Sequence, residues 1–334
     1  MSPNRQPTLE EVARLAGVGR GTASRVVNGS AHVSAHTREA VERAVRELGY
    51  VPNQAARALK TRRTDTIALV IAEDEERVFS EPFFAGLLRG ISRAVEASSR
   101  RLVLSMVPAE SQLERLAQFL TPQHVDGVLV ASMHDGLDLP RALGVPVVYV
   151  GRPTDPEASF VDVDNVGGAR VAVEHLISRG RRRIACIAGP QDMASGRDRL
   201  DGYRAALAVA GLPADDALVE LGDFSDASGV AGAAALLTRR PDLDAIFAAN
   251  DVMALGAMRE LGARGLSVPT DVALVGFDGS AAAATASTPL TTVYQPVGTM
   301  GASMVAVLGR LIEDPDAGPE SVILPAELRE GDSS

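Results

Sequence analysis

One outward face of a short helix near the amino terminus holds residue types that bind nucleic acid. Its residues are Arg20, Gly21, Ser24, Arg25 and Asn28, in the stretch TLEEVARLAGVGRGTASRVVNG. Arginine can donate two parallel hydrogen bonds to one base edge, and short hydroxyl and amide side chains reach phosphates. The residue types and their spacing therefore make this face a candidate for contact with DNA.

Two short helices and a glycine-containing turn are expected to position this face. Thr8 can cap the first helix, and Glu11 can reach back to the Thr8 backbone N–H, which makes a capping box. Gly17 can adopt the positive φ that ends this helix, and the second helix runs from about Arg20 to Asn28. Two such helices, the second presenting arginine, serine and asparagine, form a helix-turn-helix, whose second helix lies in the major groove of DNA.

A third helix completes the predicted all-α head. Ser34 is placed to cap it, Val41 and Val45 lie on its buried stripe, and Gly49 ends it. Up to residue 63 the chain has 11 basic and 5 acidic residues, whereas the rest has 22 basic and 38 acidic ones. A basic head on an acidic body indicates that only the head meets a polyanion.

Length, hydropathy and cysteine content limit the class of protein. The 334 residues fit two or three domains, and no apolar run approaches the roughly 18 residues needed to span a bilayer. The start, MSPNRQPT, lacks the apolar core of a signal peptide, so we expect a cytoplasmic protein with no membrane partner. The single cysteine, Cys186, lies in the apolar run RIACIAG and is predicted to be a buried thiol.

From Thr66 onward, apolar strand-like runs alternate with helical patterns. TIALVIA, GVLVAS, RIACIAG and VALVGFD are such runs, and GGARVAVEHLISRG and LDGYRAALAVAGL are two of the helical patterns. This alternation predicts an α/β body with parallel sheets covered by helices, and roughly 270 residues are enough for two sheets. His175, in VEHLIS, is expected to be an ordinary helix residue rather than a metal ligand.

Polar residues follow the predicted strands, at the end of a parallel sheet where ligands bind. Asn250 comes after AIFAA, Asp278 after VALVGF, and Arg199 lies at the start of the helix that follows RIACIAG. A carboxylate or amide beside an arginine brackets neighbouring hydroxyl groups, because donors and acceptors then meet in pairs. With the flat apolar faces of phenylalanines such as Phe79 and Phe83, these groups favour a sugar ligand.

The amino-terminal part of the chain resembles the lactose-repressor/galactose-repressor (LacI/GalR) family of bacterial transcription regulators. The resemblance rests on TLEEVARLAGVGRGTASRVVNG and HVSAHTREAVERAVRELGYVPNQAARALK, and it extends less tightly to the rest of the chain. It implies that the second helix reads bases, and that a hinge helix forms on the operator and wedges Leu59 into the minor groove. The implied DNA-binding residues are Thr8, Arg20, Gly21, Thr22, Ser24, Arg25, Asn28, His32, Asn53, Arg57, Leu59 and Lys60.

The second helix departs from the family pattern at positions that bear on DNA reading. Gly19 stands where the family often has serine, and Ala23 where it often has valine. Gly21 has no side chain with which to contact a base. We therefore expect base readout to rest on Arg20 and Arg25, and this helix to be capped less firmly.

For the body, the resemblance implies two similar subdomains of the periplasmic-binding-protein type, joined by three chain crossings. The expected domains are a head (1–51), a hinge (52–65) and a body (66–334), with subdomains at 66–163 plus 293–323 and at 164–292 plus 324–334. The expected effector contacts are Phe79, Phe83, His134, Arg199, Phe224, Asn250, Asp278 and Gln295. Met193 stands where the purine-responsive member of the family has an arginine, which weakens a purine effector.

These observations predict a sequence-specific DNA-binding regulator. We expect a repressor of carbohydrate-metabolism genes, released from a palindromic double-stranded operator when a mono- or oligosaccharide binds between the subdomains. A repressor that is activated by a corepressor such as a purine stays open as the alternative. No leucine heptads follow LPAELREGDSS, so a homodimer is expected, with one head for each half-site.

An enzyme and a secreted binding protein are the two other classes to consider. Gly17, Gly19 and Gly21 resemble a dinucleotide fingerprint, but a helix rather than a strand precedes them, so the context is wrong. No nucleophile, histidine and acid stand in the order of a catalytic triad, and neither a cofactor nor a metal is expected. A secreted sugar-binding protein would need a signal peptide and no basic head, which is the reverse of this chain.

Overall fold

The computed structural model describes residues 7–28, 30, 32–51, 63–107, 115–135 and 143–334. The chain divides into two compact units, residues 1–64 and 65–334, which we call the head and the body. Four of the predicted DNA-binding positions, Asn53, Arg57, Leu59 and Lys60, lie outside the described residues.

The described part of the head has three helices: α1 (Leu9–Leu15), α2 (Arg20–Val27) and α3 (Ala35–Leu48). The predicted capping box is confirmed. The Thr8 hydroxyl accepts from the Glu11 backbone N–H at 3.3 Å, and the Glu11 carboxylate accepts from the Thr8 backbone N–H at 2.8 Å. Gly17 and Gly49 follow α1 and α3 with φ of 65° and 63°, the left-handed conformation that ends a helix.

Small apolar residues hold the three helices together. Val12, Ala23 and Val41, one from each helix, have no exposed surface. Burying a valine side chain contributes about 1.5–3 kcal/mol, so a few such residues make a modest core. Because this core occupies only the inner face of α2, Arg20 and Arg25 stay exposed on the opposite face.

The described part of the body alternates strands and helices. The strands are β1 (Thr66–Ile71), β2 (Arg101–Met106), β3 (Gly127–Ala131), β4 (Val147–Val150), β5 (Ser159–Val163), β6 (Ile184–Ala188), β7 (Val219–Leu221), β8 (Ala245–Ala248), β9 (Ala273–Asp278), β10 (Thr291–Tyr294), β11 (Ser321–Leu324) and β12 (Glu327–Arg329). The helices are α4 (Glu75–Ser80), α5 (Pro82–Ala97), α6 (Asn165–Ser178), α7 (Ala194–Val209), α8 (Asp226–Arg239), α9 (Asp251–Ala263), α10 (Ala281–Ala284) and α11 (Val297–Glu313).

The strands form two six-stranded sheets with the same layout. The first has the order β11-β5-β4-β3-β1-β2, with every neighbouring pair parallel. The second has the order β12-β10-β9-β8-β6-β7, in which the β10–β12 pair is antiparallel and the other pairs are parallel. The predicted α/β body with parallel sheets is confirmed. Cys186, on β6, is a fully buried free thiol, as the apolar run around it indicated.

Each sheet with its helices is one subdomain, and two of the three crossings differ slightly from the expected positions. Val293 and Tyr294 pair with Phe277 and Asp278, so the whole of β10 belongs to the second sheet and the chain crosses after it. Leu324 pairs with Val163, so β11 ends in the first sheet and the chain crosses before Glu327. The subdomain boundaries expected at residues 293 and 324 therefore lie a few residues too early in the chain. An apolar strand pattern does not show which of the two sheets a strand joins.

Among the helices that the structure describes, none is both long enough and apolar enough to cross a bilayer.

Candidate functional site

The two arginines expected to read bases lie on the exposed face of α2. The Arg20 guanidinium lies 2.8 Å from the Glu10 carboxylate on α1, and both side chains are more than half exposed. Arg25 turns back on its own helix, where its Nε donates to the Gly21 carbonyl oxygen at 3.3 Å. Exposed ion pairs of this kind contribute about 0–1 kcal/mol, so DNA can replace these partners at little cost.

The remaining described positions of the DNA-binding set lie around the same helix. The Asn28 amide donates to the Ser24 carbonyl oxygen at 2.7 Å. The Thr8 hydroxyl is engaged in the capping box of α1, and the His32 backbone N–H donates to the Ser30 hydroxyl at 3.4 Å. Gly19 is the N-cap of α2 and makes no side-chain hydrogen bond, as the absence of serine there predicted. Direct DNA contact by these residues stays a prediction.

In the body, a cleft separates the two subdomains at the carboxyl ends of their strands. It encloses about 790 Å³, part of which is open to solvent, within the usual range of small-molecule sites. Six of the eight expected effector residues line it: Phe83, Arg199, Phe224, Asn250, Asp278 and Gln295. The fold thus brings together residues that are up to 212 positions apart in the chain, from Phe83 to Gln295.

Arg199 is the buried cation at the centre of the cleft. Its Nε donates to the Asn165 side-chain oxygen at 2.9 Å and its Nη1 to the Ala249 carbonyl oxygen at 2.6 Å. The guanidinium stacks on the ring of Phe277, with 3.7 Å between Cζ and the ring centroid. Because these partners fix its orientation, Arg199 presents its remaining donors toward the cleft and toward Asp278, 3.5 Å away.

Asp278 is the acceptor that faces Arg199. Its Oδ1 accepts from the Gln295 side-chain amide at 2.6 Å, and its backbone has a φ of 117°, which costs a non-glycine residue strain. The carboxylate of Asp251 supports the turn after Asp278 by accepting from the Ser280 backbone N–H at 2.6 Å. Burial raises the pKa of Asp278 well above the usual carboxyl value, more than the nearby Arg199 lowers it.

Phe224 and Asn250 form the apolar and amide part of the same wall. The Asn250 amide donates to the Phe224 carbonyl oxygen at 2.9 Å, and its Oδ1 accepts from the Met253 backbone N–H at 2.8 Å, which caps α9. The Phe224 ring lies against Gly189, where a Cβ would come within 2.4 Å of the ring. Asn250 therefore has a second amide hydrogen that can bind a ligand. The Phe224 ring fits at this position because residue 189 is a glycine.

Phe79 and His134 are the two expected effector residues that do not line the cleft. The Phe79 side chain is 73% exposed, because it projects from the outer side of the short helix α4. His134 lies between two carboxylates, with Nε2 3.2 Å from Glu73 and Nδ1 2.8 Å from Asp192. The apolar run before His134 located the end of β3 correctly. Only the packing of the two subdomains shows that the His134 side chain faces Glu73 and Asp192 and not the cleft.

Four charged residues that line the cleft were not predicted from the sequence: Arg77, Glu81, Arg152 and Asp162. Arg77, on α4, forms an ion pair of 2.7 Å with Glu81, the residue that follows the helix. Arg152 follows β4 and lies 2.5 Å from Asp198 of the other subdomain. The position of Arg152 two residues after a strand was a usable signal. Burial raises the pKa of Glu81 to about 7, although Arg77 lowers it.

Comparison with known proteins agrees with the helix-turn-helix and the two-sheet cleft. Residues 8–53 match the family described as bacterial regulatory proteins, lacI family, and residues 173–334 match a periplasmic binding protein-like domain. The HTH-type transcriptional regulator CelR of Thermobifida fusca is 51% identical over 334 residues, which cover 98% of each chain. The chain belongs to the LacI family. It is a DNA-binding transcriptional regulator of that family and not an enzyme.

Two solved LacI-family structures show the same arrangement over almost the whole chain. A CelR–cellobiose complex is 49% identical, with a TM-score of 0.79 over 98% of this chain and 100% of that one. A lac repressor dimer bound to operator and the anti-inducer ONPF is 29% identical, with a TM-score of 0.85 over 98% and 99% of the two chains. The fold expected from the sequence, a helix-turn-helix head on a two-subdomain body, is thereby confirmed.

Proposed function

We propose that this LacI-family regulator is a repressor of carbohydrate-metabolism genes that a neutral sugar of one or two rings releases from its operator. One observation is central to this proposal: Arg199 and Asp278 lie beside Asn250 and Gln295 in a cleft that phenylalanine rings also line. A vicinal diol has a donor and an acceptor on each oxygen, so paired guanidinium, amide and carboxylate groups match it. The apolar faces of a pyranose ring pack on aromatic rings.

The charge balance of the cleft supports a neutral ligand. Each arginine that lines the cleft already faces a carboxylate: Arg77 faces Glu81, Arg152 faces Asp198, and Arg199 faces Asp278. A phosphate or carboxylate ligand would have to displace one of these acidic partners and leave it desolvated, which is costly. A neutral polyhydroxyl ligand exchanges hydrogen bonds with water and requires no such displacement.

The similarity to CelR supports cellobiose as the first sugar to test. CelR has been solved as a complex with cellobiose, and it is similar to this chain across the cleft and the head alike. The purine alternative is less favoured, since Met193, which lines the cleft, stands where the resemblance places an arginine in the purine-responsive member of the family.

The proposed mechanism is a population shift between two arrangements of the subdomains. The sugar binds both walls of the cleft and so favours one arrangement. In a homodimer on a palindromic operator, that change separates the two heads and lowers their joint affinity for DNA. The protein would act in the cytoplasm, where operator DNA is found, and would be bound to the nucleoid when no sugar is present.

The test is sugar-dependent release from a selected operator. Duplexes that bind the full chain are enriched from a random pool, and release is followed by fluorescence anisotropy with cellobiose, glucose, ribose, glucose 6-phosphate and hypoxanthine. The proposal predicts release by a neutral sugar and none by glucose 6-phosphate. Tighter DNA binding with hypoxanthine, or release only by a phosphorylated sugar, would contradict it.

A further inference from the structure

A group of polar contacts joins the two subdomains next to the cleft but outside its lining. The loop after β3, in the first subdomain, meets the loop after β6, in the second. The Asp135 backbone N–H donates to the Asp192 carbonyl oxygen at 2.8 Å. The Arg197 guanidinium binds both oxygens of the Asp135 carboxylate, at 2.6 and 3.4 Å. We call Glu73, His134, Asp135, Asp192 and Arg197 the cross-cleft latch.

His134 is the residue of this latch that touches carboxylates of both subdomains. Its Nε2 lies 3.2 Å from Glu73 of the first subdomain, and its Nδ1 lies 2.8 Å from Asp192 of the second. A neutral imidazole has one donor and one acceptor nitrogen, whereas the imidazolium donates from both. Two carboxylate partners are therefore satisfied together only when His134 is protonated.

Glu73 is held in place for this contact. Its side chain is 7% exposed, and its Oε1 accepts from the Ser132 hydroxyl at 2.6 Å. The Arg77 guanidinium also lies 3.2 Å from the same oxygen. Glu73 is thus held by its own subdomain and in turn holds His134. The bond from His134 to Asp192 then ties the second subdomain to this fixed position.

We propose that His134 is the positioning residue of a proton-linked latch that holds the two subdomains in the arrangement of this structure and thereby sets sugar affinity. The proposal rests on the proposed function only in its second part, the link to sugar affinity. The latch itself is formed by the chain alone and needs no ligand.

The direction of the pH dependence follows from the charges that face His134. The hydrogen bond to Glu73 raises the pKa of His134, burial opposes this, and Asp192 raises it further. The groups around it are Glu73 and Asp192 in contact, Arg77 beyond Glu73, and the Arg197–Asp135 pair beside Asp192. Because the pKa of His134 is raised when the latch is formed, the stabilisation is fully present below the ordinary histidine pKa and is lost as pH rises through the raised value.

The first experiment needs no sugar. Hydrogen exchange of the Asp135 amide is measured by mass spectrometry in the full chain, in His134→Gln, in Asp192→Asn and in the double variant. We expect faster exchange in each single variant at pH 6.5. The double variant should show little further change, because both substitutions remove the same contact, the one between His134 and Asp192. The matched control is His175→Gln, since His175 lies on α6 and bonds to Ser334 within its own subdomain. Unchanged exchange in both single variants, with the fold intact by thermal unfolding, would overturn the latch.

The second experiment adds cellobiose. We expect His134→Gln to weaken binding about fivefold at pH 6, and the ratio to the parent chain to approach one at pH 9. Other cleft carboxyls also titrate, so the ratio between variant and parent at each pH is the quantity to compare. A pH-independent ratio overturns the proton link. If the parent chain binds no sugar while Asp135 exchange responds as described, the proposed sugar function fails and the latch stands.

Discussion

Replacing Asp278 by asparagine tests the effector site with the least disturbance to the fold. The substitution keeps the shape of the side chain and leaves an oxygen to accept from Gln295, which now donates to Asp278 at 2.6 Å. It removes the negative charge that faces Arg199 at 3.5 Å and that would accept a hydrogen bond from a sugar hydroxyl. DNA binding without sugar should not change, because the head forms a separate compact unit.

The expected size of the effect comes from the loss of a charged acceptor. A hydrogen bond to a charged group contributes about 1.5–3 kcal/mol and a neutral one about 1 kcal/mol, so the difference of about 0.5–2 kcal/mol weakens sugar binding roughly 2- to 30-fold. Burial raises the pKa of Asp278 to about 7, so the full effect requires pH 8 or above. Toward pH 5.5 the parent carboxyl becomes protonated and the ratio of the two affinities falls toward one.

Stability should not fall with this substitution. A carboxyl whose pKa is raised on folding destabilises the folded chain at pH values above its unfolded pKa, and asparagine lacks that penalty. We therefore expect an equal or higher melting temperature for Asp278→Asn at pH 8. The control is Asp201→Asn, which changes an exposed carboxylate on α7, two residues after Arg199. Calorimetric titration with the releasing sugar measures both variants; an affinity within twofold of the parent at pH 8 would refute a ligand contact by Asp278.

Three further substitutions test the head, the hinge and the cleft. Arg25→Ala should reduce the preference for operator over random DNA by about 1–3 kcal/mol, measured by anisotropy, while sugar binding by the body is unchanged. Leu59→Ala, at the hinge position expected to enter the minor groove, should weaken operator binding much more than random DNA binding in the same assay. Glu81→Gln should stabilise the chain at pH 8 by up to about 3 kcal/mol in urea unfolding, with no gain near pH 4.5, because burial raises the pKa of Glu81 to about 7.

Each of these has an outcome that contradicts it. Sequence preference retained in Arg25→Ala would remove Arg25 from base reading, and the exposed Arg14 on α1 provides the matched Arg→Ala control. Equal losses on operator and random DNA would exclude a wedge at Leu59. A constant effect of Glu81→Gln between pH 4.5 and pH 8 would show that titration of this carboxyl does not affect stability.

Much of the candidate site could be predicted because strand ends are visible in the sequence. An apolar run followed by a polar residue places that residue at the ligand-binding edge of a parallel sheet, and Asn250 and Asp278 were found in this way. Phe79 could not be judged in the same manner, because a helix residue near the edge points inward or outward according to helix rotation. Arg77 was missed for the same reason. Nothing in the local sequence shows that Arg77 points into the cleft while Phe79, two residues later on the same helix, points outward.

The sequence by itself determined the local structures and the family. The capping box at Thr8 and the left-handed glycines at 17 and 49 depend on residues a few positions apart, and they form as predicted. Alternating apolar runs likewise determine that the body is built of parallel strands and helices.

Only the tertiary structure decided which side chains face each other across the cleft. His134 and Asp192 are 58 residues apart and lie in different subdomains, so their contact depends on how the two sheets are placed. Arg199 and Asp278 are 79 residues apart within the second subdomain, so their contact depends on how that subdomain folds and not on any local pattern. The same holds for the pKa of Asp278 and of Glu81, which are raised by burial that exists only after the subdomains have packed. Residue types specify what chemistry is possible, whereas long-range packing sets the distances and the desolvation on which that chemistry depends.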